Sequence, residues 1–170
     1  MKNWEYLTEY QILKQLPPDT WLDFIVLKYD AQGPPPPEEM FEDCRKLIAT
    51  LARTVKVKNT GQLVWFARVE DKDDGESFMP RHLHVLLGRS CIADRTVQGS
   101  NLKLWANAGA RGLWFSEHWE HGHAYIQPFD TKLGDGVGYV CKLDRRSDHA
   151  ETYFSTGLKK LVREANSHAQ

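Results

Sequence analysis

The sequence predicts an α+β fold, a central antiparallel sheet of about five strands flanked by helices. Three patterns carry this expectation: strand character at Trp21 to Tyr29, Leu63 to Glu70 and Pro80 to Gly88; helical stripes at Met40 to Leu51 and Ala150 to Ala165; and a connection, Asp71 to Met79, short enough for a hairpin. With 170 residues, 41% hydrophobic and 26% charged, the chain suits one core, so residues 1–170 are expected to form a single domain.

In chain order, Tyr6, Leu7, Tyr10, Leu13 and Leu16 recur at helical spacing until Pro17-Pro18 stops them. Trp21 to Tyr29 is apolar on both faces apart from Asp23 and Lys28, which suits an interior strand. Pro37 fits a first helical position, with Glu38 and Glu39 complementing the dipole; Met40, Phe41, Cys44, Leu47, Ile48 and Leu51 then form a continuous stripe. After the turn Asn59-Thr60-Gly61, Leu63, Trp65, Ala67 and Val69 alternate with Val64, Phe66, Arg68 and Glu70, which places Glu70 last in its strand, on the more polar face. Asp94 to Ala110 has weak helical periodicity, and Leu113 to Ser116 and His123 to Gln127 read as strand-like. A short helix is expected over Val137 to Leu143, and a strongly amphipathic one over His149 to Ala165. The helix from Pro37, with the last helix, is expected to cover one face of the sheet.

Composition excludes several classes. A net charge of -1 and a pI near 6.7 argue against a non-specific polyanion coat, though a local basic patch is compatible with them. Cys44, Cys91 and Cys141 form no C-x-x-C pair and fit reduced, structural thiols. No apolar run reaches spanning length, the start lacks a signal peptide's apolar stretch, and no Walker-type glycine loop is present. A soluble, intracellular protein without a membrane partner or ATPase activity is expected.

The chemistry concentrates in Pro80 to Gly88. Leu83, Val85 and Leu87 share one face of this strand, and His82, His84 and Leu86 the other. Neutral imidazole is a common metal ligand, and a strand's period can aim two rings at one ion; the same pair could also be half-buried sheet residues. If the two strands pair antiparallel, Glu70 falls beside His82 and His84. The three donors would suit Mn²⁺ or Mg²⁺, or Zn²⁺, while alone Glu70 reads as a solvated carboxylate. His121 and His123, a second His-x-His, are weakened by Gly122 and rank as decoys. His123, Tyr125 and Gln127 offer a stacking or hydrogen-bonding face for bases, or are solvated sheet residues. Tyr139 and Lys142, three apart, share a helical face. Lys159, Lys160 and Arg163 lie off the last helix's stripe and read as a solvated face, with contact to phosphates as the alternative.

Pro80-Arg81-His82-Leu83-His84-Val85-Leu86-Leu87, followed by Gly138-Tyr139-Val140-Cys141-Lys142, resembles the HUH endonucleases, in particular the single-tyrosine rolling-circle replication initiators (Rep nicking domains) of small plasmids and single-stranded DNA viruses. The likeness in element order extends from the strand at Trp21 to the helix of Tyr139. It implies a ferredoxin-like variant of the α+β fold, His82 and His84 as metal ligands, Glu70 as the third ligand, Tyr139 as nucleophile and Lys142 as the lysine that follows it. Transposases of the superfamily often take a third ligand from the tyrosine helix; Leu143 and its neighbours offer none, which favours Glu70.

The implied activity is metal-dependent, sequence-specific nicking and joining of single-stranded DNA. Tyr139 would keep the 5′-phosphate as an ester and free a 3′-hydroxyl to initiate rolling-circle replication, with Mn²⁺ or Mg²⁺ as cofactor. The partner would be single-stranded DNA at an origin or stem-loop, in a bacterial cytoplasm or a host nucleus; a host or fused helicase is compatible with that role. A free phenol, with a pKa near about 10, is ionised in roughly one molecule per thousand at neutral pH and needs assistance. Arg68, Arg81, His123, Tyr125, Gln127 and Lys132 are expected to contact DNA, with Lys142, Arg145 and Arg146 grouped near the site. Two alternatives stay open: a catalytically silent origin-binding module of the same fold, and an unrelated His-x-His metal hydrolase that would leave Tyr139 without a task.

Overall fold

Strand character is realised where the alternation shows it. The strands β1 (Trp21–Tyr29), β2 (Trp65–Asp73), β3 (Phe78–Gly88), β4 (Gly122–Pro128) and β5 (Thr152–Phe154) form one sheet in the order β4-β1-β3-β2-β5, with every neighbouring pair antiparallel. This architecture comes from a computed structural model that describes residues 9–30, 33–55, 63–73, 78–88, 104, 106–141 and 151–168. The helices are α1 (Glu9–Lys14), α2 (Pro37–Thr54), α3 (Ala108–His118), α4 (Gly136–Cys141) and α5 (Thr156–His168). The α+β class and the five-stranded antiparallel sheet thus match the expectation.

One face of the sheet is closed by α2 and α3. Pro37 opens α2, and its stripe of Met40, Phe41, Cys44, Leu47, Ile48 and Leu51 is buried as the spacing requires. These side chains meet Ile25, Leu27, Trp65, Ala67, Val69, Leu83, Val85 and Leu87 from the strands. Each fully buried aliphatic or aromatic side chain stabilises the fold by about 1.5–3 kcal/mol.

Leu113 to Ser116, expected as a strand, lies inside α3. Its aromatic residues favour strands in isolation, but tertiary contacts decide. The Asn107 side chain accepts from the Ala110 amide at 3.0 Å and caps the helix. Arg111, Trp114 and Phe115 then face inward at helical spacing. Arg111 reaches Asp23 of β1 with Nε to Oδ2 at 2.6 Å and Nη2 to Oδ1 at 2.9 Å, both side chains buried. The expected helix over Asp94 to Ala110 falls largely outside the described residues.

The opposite face packs against α1, α4 and α5. Val64, Phe66 and Leu86 pack beneath Ile12 and Leu13 of α1, Val137 and Val140 of α4, and Leu158 and Val162 of α5. The last helix therefore sits on the face that carries the histidines, not on the α2 face. It is also shorter than the amphipathic stripe suggested, because Thr152–Phe154 forms β5 against Arg68, Ala67 and Phe66. Tyr153 stacks on Trp65 on one side, with centroids 4.7 Å apart, while Phe154 meets Phe66 on the other, a two-residue alternation no helix produces. Buried Ser155 marks the switch: its hydroxyl accepts from the Trp65 and Leu158 amides at 2.9 and 3.1 Å and donates to the Leu63 carbonyl at 3.2 Å.

Gly122 does not interrupt β4 but begins it, at φ 156°. A Cβ there would collide with the Lys28 carbonyl, so only glycine lets β4 approach β1 this closely. The tyrosine-bearing helix α4 is anchored from α1. Asp135 Oδ1 accepts from the Gly138 amide at 3.0 Å, and its Oδ2 accepts from the Tyr10 hydroxyl at 2.8 Å and lies 3.3 Å from Lys14 Nζ.

Candidate metal centre

The β2–β3 register places Glu70 opposite His82 and Arg68 opposite His84; across β1, Lys28 lies opposite His82 and Val26 opposite His84. Directly opposed residues share a face, so the sheet ladder alone brings Glu70 and the two imidazoles together. Glu70 is not the end of its strand, since β2 runs on to Asp73, but the register shifts between Glu70 and Lys72. Such an irregularity re-aims side chains next to it.

The donors converge. Nε2 of His82 and Nε2 of His84 are 3.0 Å apart, and Oε2 of Glu70 lies 3.1 Å from the first and 2.9 Å from the second. Among the described residues this is the one group of three or more His, Cys, Asp or Glu side chains whose ligand atoms come close enough to hold a metal ion. Both rings are buried, at 3% and 4% exposure. His82 Nδ1 lies 3.0 Å from the Pro80 carbonyl. A carbonyl can only accept, so Nδ1 carries a proton there, and Nε2 is the ring nitrogen turned toward the carboxylate. One carboxylate oxygen and two ring nitrogens thus lie within hydrogen-bonding distance of one another, close enough together to hold one cation. The residues fit a metal ion.

Tyr139 of α4 lies beside this centre. Its ring stacks on His84, with centroids 5.8 Å apart and planes within 10°, and Phe24 meets both rings edge-on at 5.4 and 5.6 Å. The Tyr139 side chain is 56% exposed, open to a ligand from solvent. Lys142, Arg145 and Arg146 lie outside the described residues.

The expected DNA contacts divide. Arg68 is buried, and its Nη1 donates to the Cys141 carbonyl at 2.8 Å, which ties the end of α4 to β2. Arg81 is half-buried and, by alternation, on the face away from His82. His123, Tyr125 and Gln127 are exposed along the edge strand β4, Tyr125 with Lys28 Nζ 5.3 Å from its ring centroid. Lys132 is exposed in the 3₁₀ turn Thr131–Leu133. His121 and His123 do not act together: the first is 3.6 Å from Asp43, the second 3.9 Å from Asp30. Cys44 and Cys141 are buried free thiols, and burial pushes Cys141 up to about 12 and Cys44 higher, so both are inert at neutral pH; Cys91 lies outside the described residues.

Sequence reasoning missed the Phe24 ring between His84 and Tyr139, the helix-anchoring role of Arg68, and the brace at Asp135. A legible signal existed only for the last, an Asp three residues before the amide it caps. No helix among the described residues is long and apolar enough to cross a membrane. No protein-family model, curated protein or solved structure matches the chain.

Proposed function

We propose that this chain is a metal-dependent endonuclease and strand transferase acting on single-stranded DNA, with Tyr139 as nucleophile. The observation that carries the reading is the stack of Tyr139 on His84, which puts a solvent-accessible phenol against a ring of the Glu70, His82, His84 trio. The proposed cofactor is Mg²⁺ or Mn²⁺, a divalent cation that would polarise a phosphate oxygen while held by the three donors.

In the proposed reaction the Tyr139 oxygen forms a bond to phosphorus and the bond from phosphorus to the 3′ oxygen breaks. The phenol proton passes to solvent, and the departing 3′ oxygen takes one up as a hydroxyl. A bound divalent cation supplies Lewis-acid polarisation of the phosphate. The protein supplies placement: Arg68 and Asp135 fix the two ends of α4, and Phe24 limits the swing of the phenol. Lys142 follows Tyr139 by three residues in the sequence and is assigned to offset charge on the phenolate or phosphate. Because one phosphodiester replaces another bond of similar energy, reversal rejoins strands, the economy that rolling-circle initiation requires.

Incubation with single-stranded DNA and Mn²⁺, followed by denaturing electrophoresis, tests the reading. The native protein is expected to form a covalent adduct and a free 3′-hydroxyl, and Tyr139→Phe neither. Binding without any adduct identifies a silent origin-recognition module instead; an adduct surviving in Tyr139→Phe overturns the assignment.

A further inference from the structure

The proposed nucleophile is carried by a helix that has little of its own to keep it in place. α4 has six residues, two of them glycine, well below the about 12–15 at which an isolated helix becomes even marginal in water. Val137, Val140 and Cys141 form its buried side, while Tyr139 stands on the exposed side. Apolar burial holds the helix to the sheet but has no direction, so hydrogen bonds must settle how far it rotates or slides.

At the N-terminal end those bonds run through one carboxylate. Asp135 Oδ1 accepts from the amide of Gly138, the residue before Tyr139, and the Asp135 carbonyl accepts from the Tyr139 amide at 2.9 Å. Oδ2 is gripped from the other side by α1, through the Tyr10 hydroxyl at 2.8 Å and Lys14 Nζ at 3.3 Å. Lys14 Nζ also lies 5.2 Å from the Tyr10 ring centroid, so the two groups support each other. α1 is itself fixed, since Ile12 and Leu13 are buried in the core beneath it. The fit is close: a Cβ on Gly138 would lie 2.7 Å from Asp135 Oδ2 and 3.4 Å from Tyr10 Cε2.

We infer that Tyr10 is a positioning residue for Tyr139: its hydroxyl orients the Asp135 carboxylate, which sets where α4 presents the phenol beside His84. The inference rests on the proposed nicking reaction and adds to it control of the nucleophile by α1, exerted through Asp135 and not on the reacting atoms.

Tyr10→Phe keeps the ring and removes only the hydroxyl. Single-turnover adduct formation at saturating Mn²⁺ and single-stranded DNA should slow about tenfold, with the Kd for Mn²⁺ within about twofold of native. In proton NMR of the metal-free protein, the Tyr139 ring signals, identified by their loss in Tyr139→Phe, carry ring-current shifts from His84 and Phe24. They should move toward free-tyrosine positions in Tyr10→Phe. Tyr29→Phe is the control: it removes a comparable phenol–carboxylate bond, 3.1 Å to Asp43 on the α2 face, and should change neither rate nor signals. Gly138→Ala should also slow the reaction, although alanine favours a helix, because the added methyl displaces the carboxylate. An unchanged rate or unmoved ring signals in Tyr10→Phe, equal changes in Tyr29→Phe, a rate loss matched by lost Mn²⁺ affinity, or a faster Gly138→Ala overturns the inference. If the native protein forms no adduct, the nicking reading falls and the ring signals alone decide: moved by Tyr10→Phe and not by Tyr29→Phe, they uphold the positioning role; otherwise it falls too.

Discussion

On one face of the sheet, α2 and α3 bury an apolar layer that includes a matched, buried ion pair, Asp23 with Arg111. On the other, α1, α4 and α5 pack around Phe66 and Leu86, and Glu70, His82 and His84 stand on the same face. The charges of the first face are neutralised by each other, within the protein. The polar groups of the second face bring three ligand atoms within 3.1 Å of one another, close enough to hold a metal ion. The polar groups of both sets are largely buried, so burial alone does not mark function; what differs is that the second set gathers three atoms of the kinds that ligate metals.

The largest effect that sharpens this contrast is chemical. Tyr139→Phe should lower the rate of adduct formation by at least about ten-thousandfold, read by single-turnover nicking, with thermal stability unchanged. Arg111→Leu should break the first face: it leaves Asp23 buried and unpaired and should cost about 3–5 kcal/mol in urea unfolding. Adding Asp23→Leu should recover most of that loss, a result that would show the pair to be self-contained. The second face should respond in the opposite sense, gaining from an added ligand. Mn²⁺ at about a hundred times its Kd should stabilise the native protein by about 2.7 kcal/mol in thermal melts, and His82→Ala with His84→Ala should abolish the gain.

The smallest effect concerns the brace that holds α4 against the second face. Burial acts to raise the Asp135 carboxyl, but the Gly138 amide, the Tyr10 hydroxyl and Lys14 outweigh it and hold it below the usual range. A group whose folded pKa is lowered stabilises fully above its unfolded value, so this contribution is present at neutral pH and is lost as pH falls through the lowered value. Asp135→Ala should cost about 1 kcal/mol and Asp135→Asn less, since asparagine keeps the cap. Chemical denaturation of both variants at neutral pH and at pH about 3, below the usual carboxylate value, checks the sign.

Legibility followed the range of the interactions. β3 and β2 were readable because alternation is local, and their register, once antiparallel, brought Glu70 to the histidines without further information. Tyr139 was not derivable that way: Tyr-x-x-Lys is a common helical pair, and only the family resemblance singled it out. Leu113 to Ser116 misled because aromatic residues carry strand propensity, and the partner that fixes them in a helix, Asp23 against Arg111, is far away in sequence. Thr152–Phe154 misled because two strand positions and a helical stripe overlap on the same apolar residues, with Ser155 as a switch that only contacts reveal. Arg68 looked available to DNA because its role depends on where the Cys141 carbonyl ends up.

The ladder that seats Glu70 across from His82 has a consequence for how the protein can vary. Donor spacing is fixed by paired backbone, so residues could be added or removed between Asp73 and Phe78 without disturbing the trio, provided the pairing keeps its phase. That hairpin is the natural place to graft a tag or a recognition loop, whereas a single insertion inside β3 between His82 and His84 would turn one ring to the apolar side and destroy the centre at a stroke.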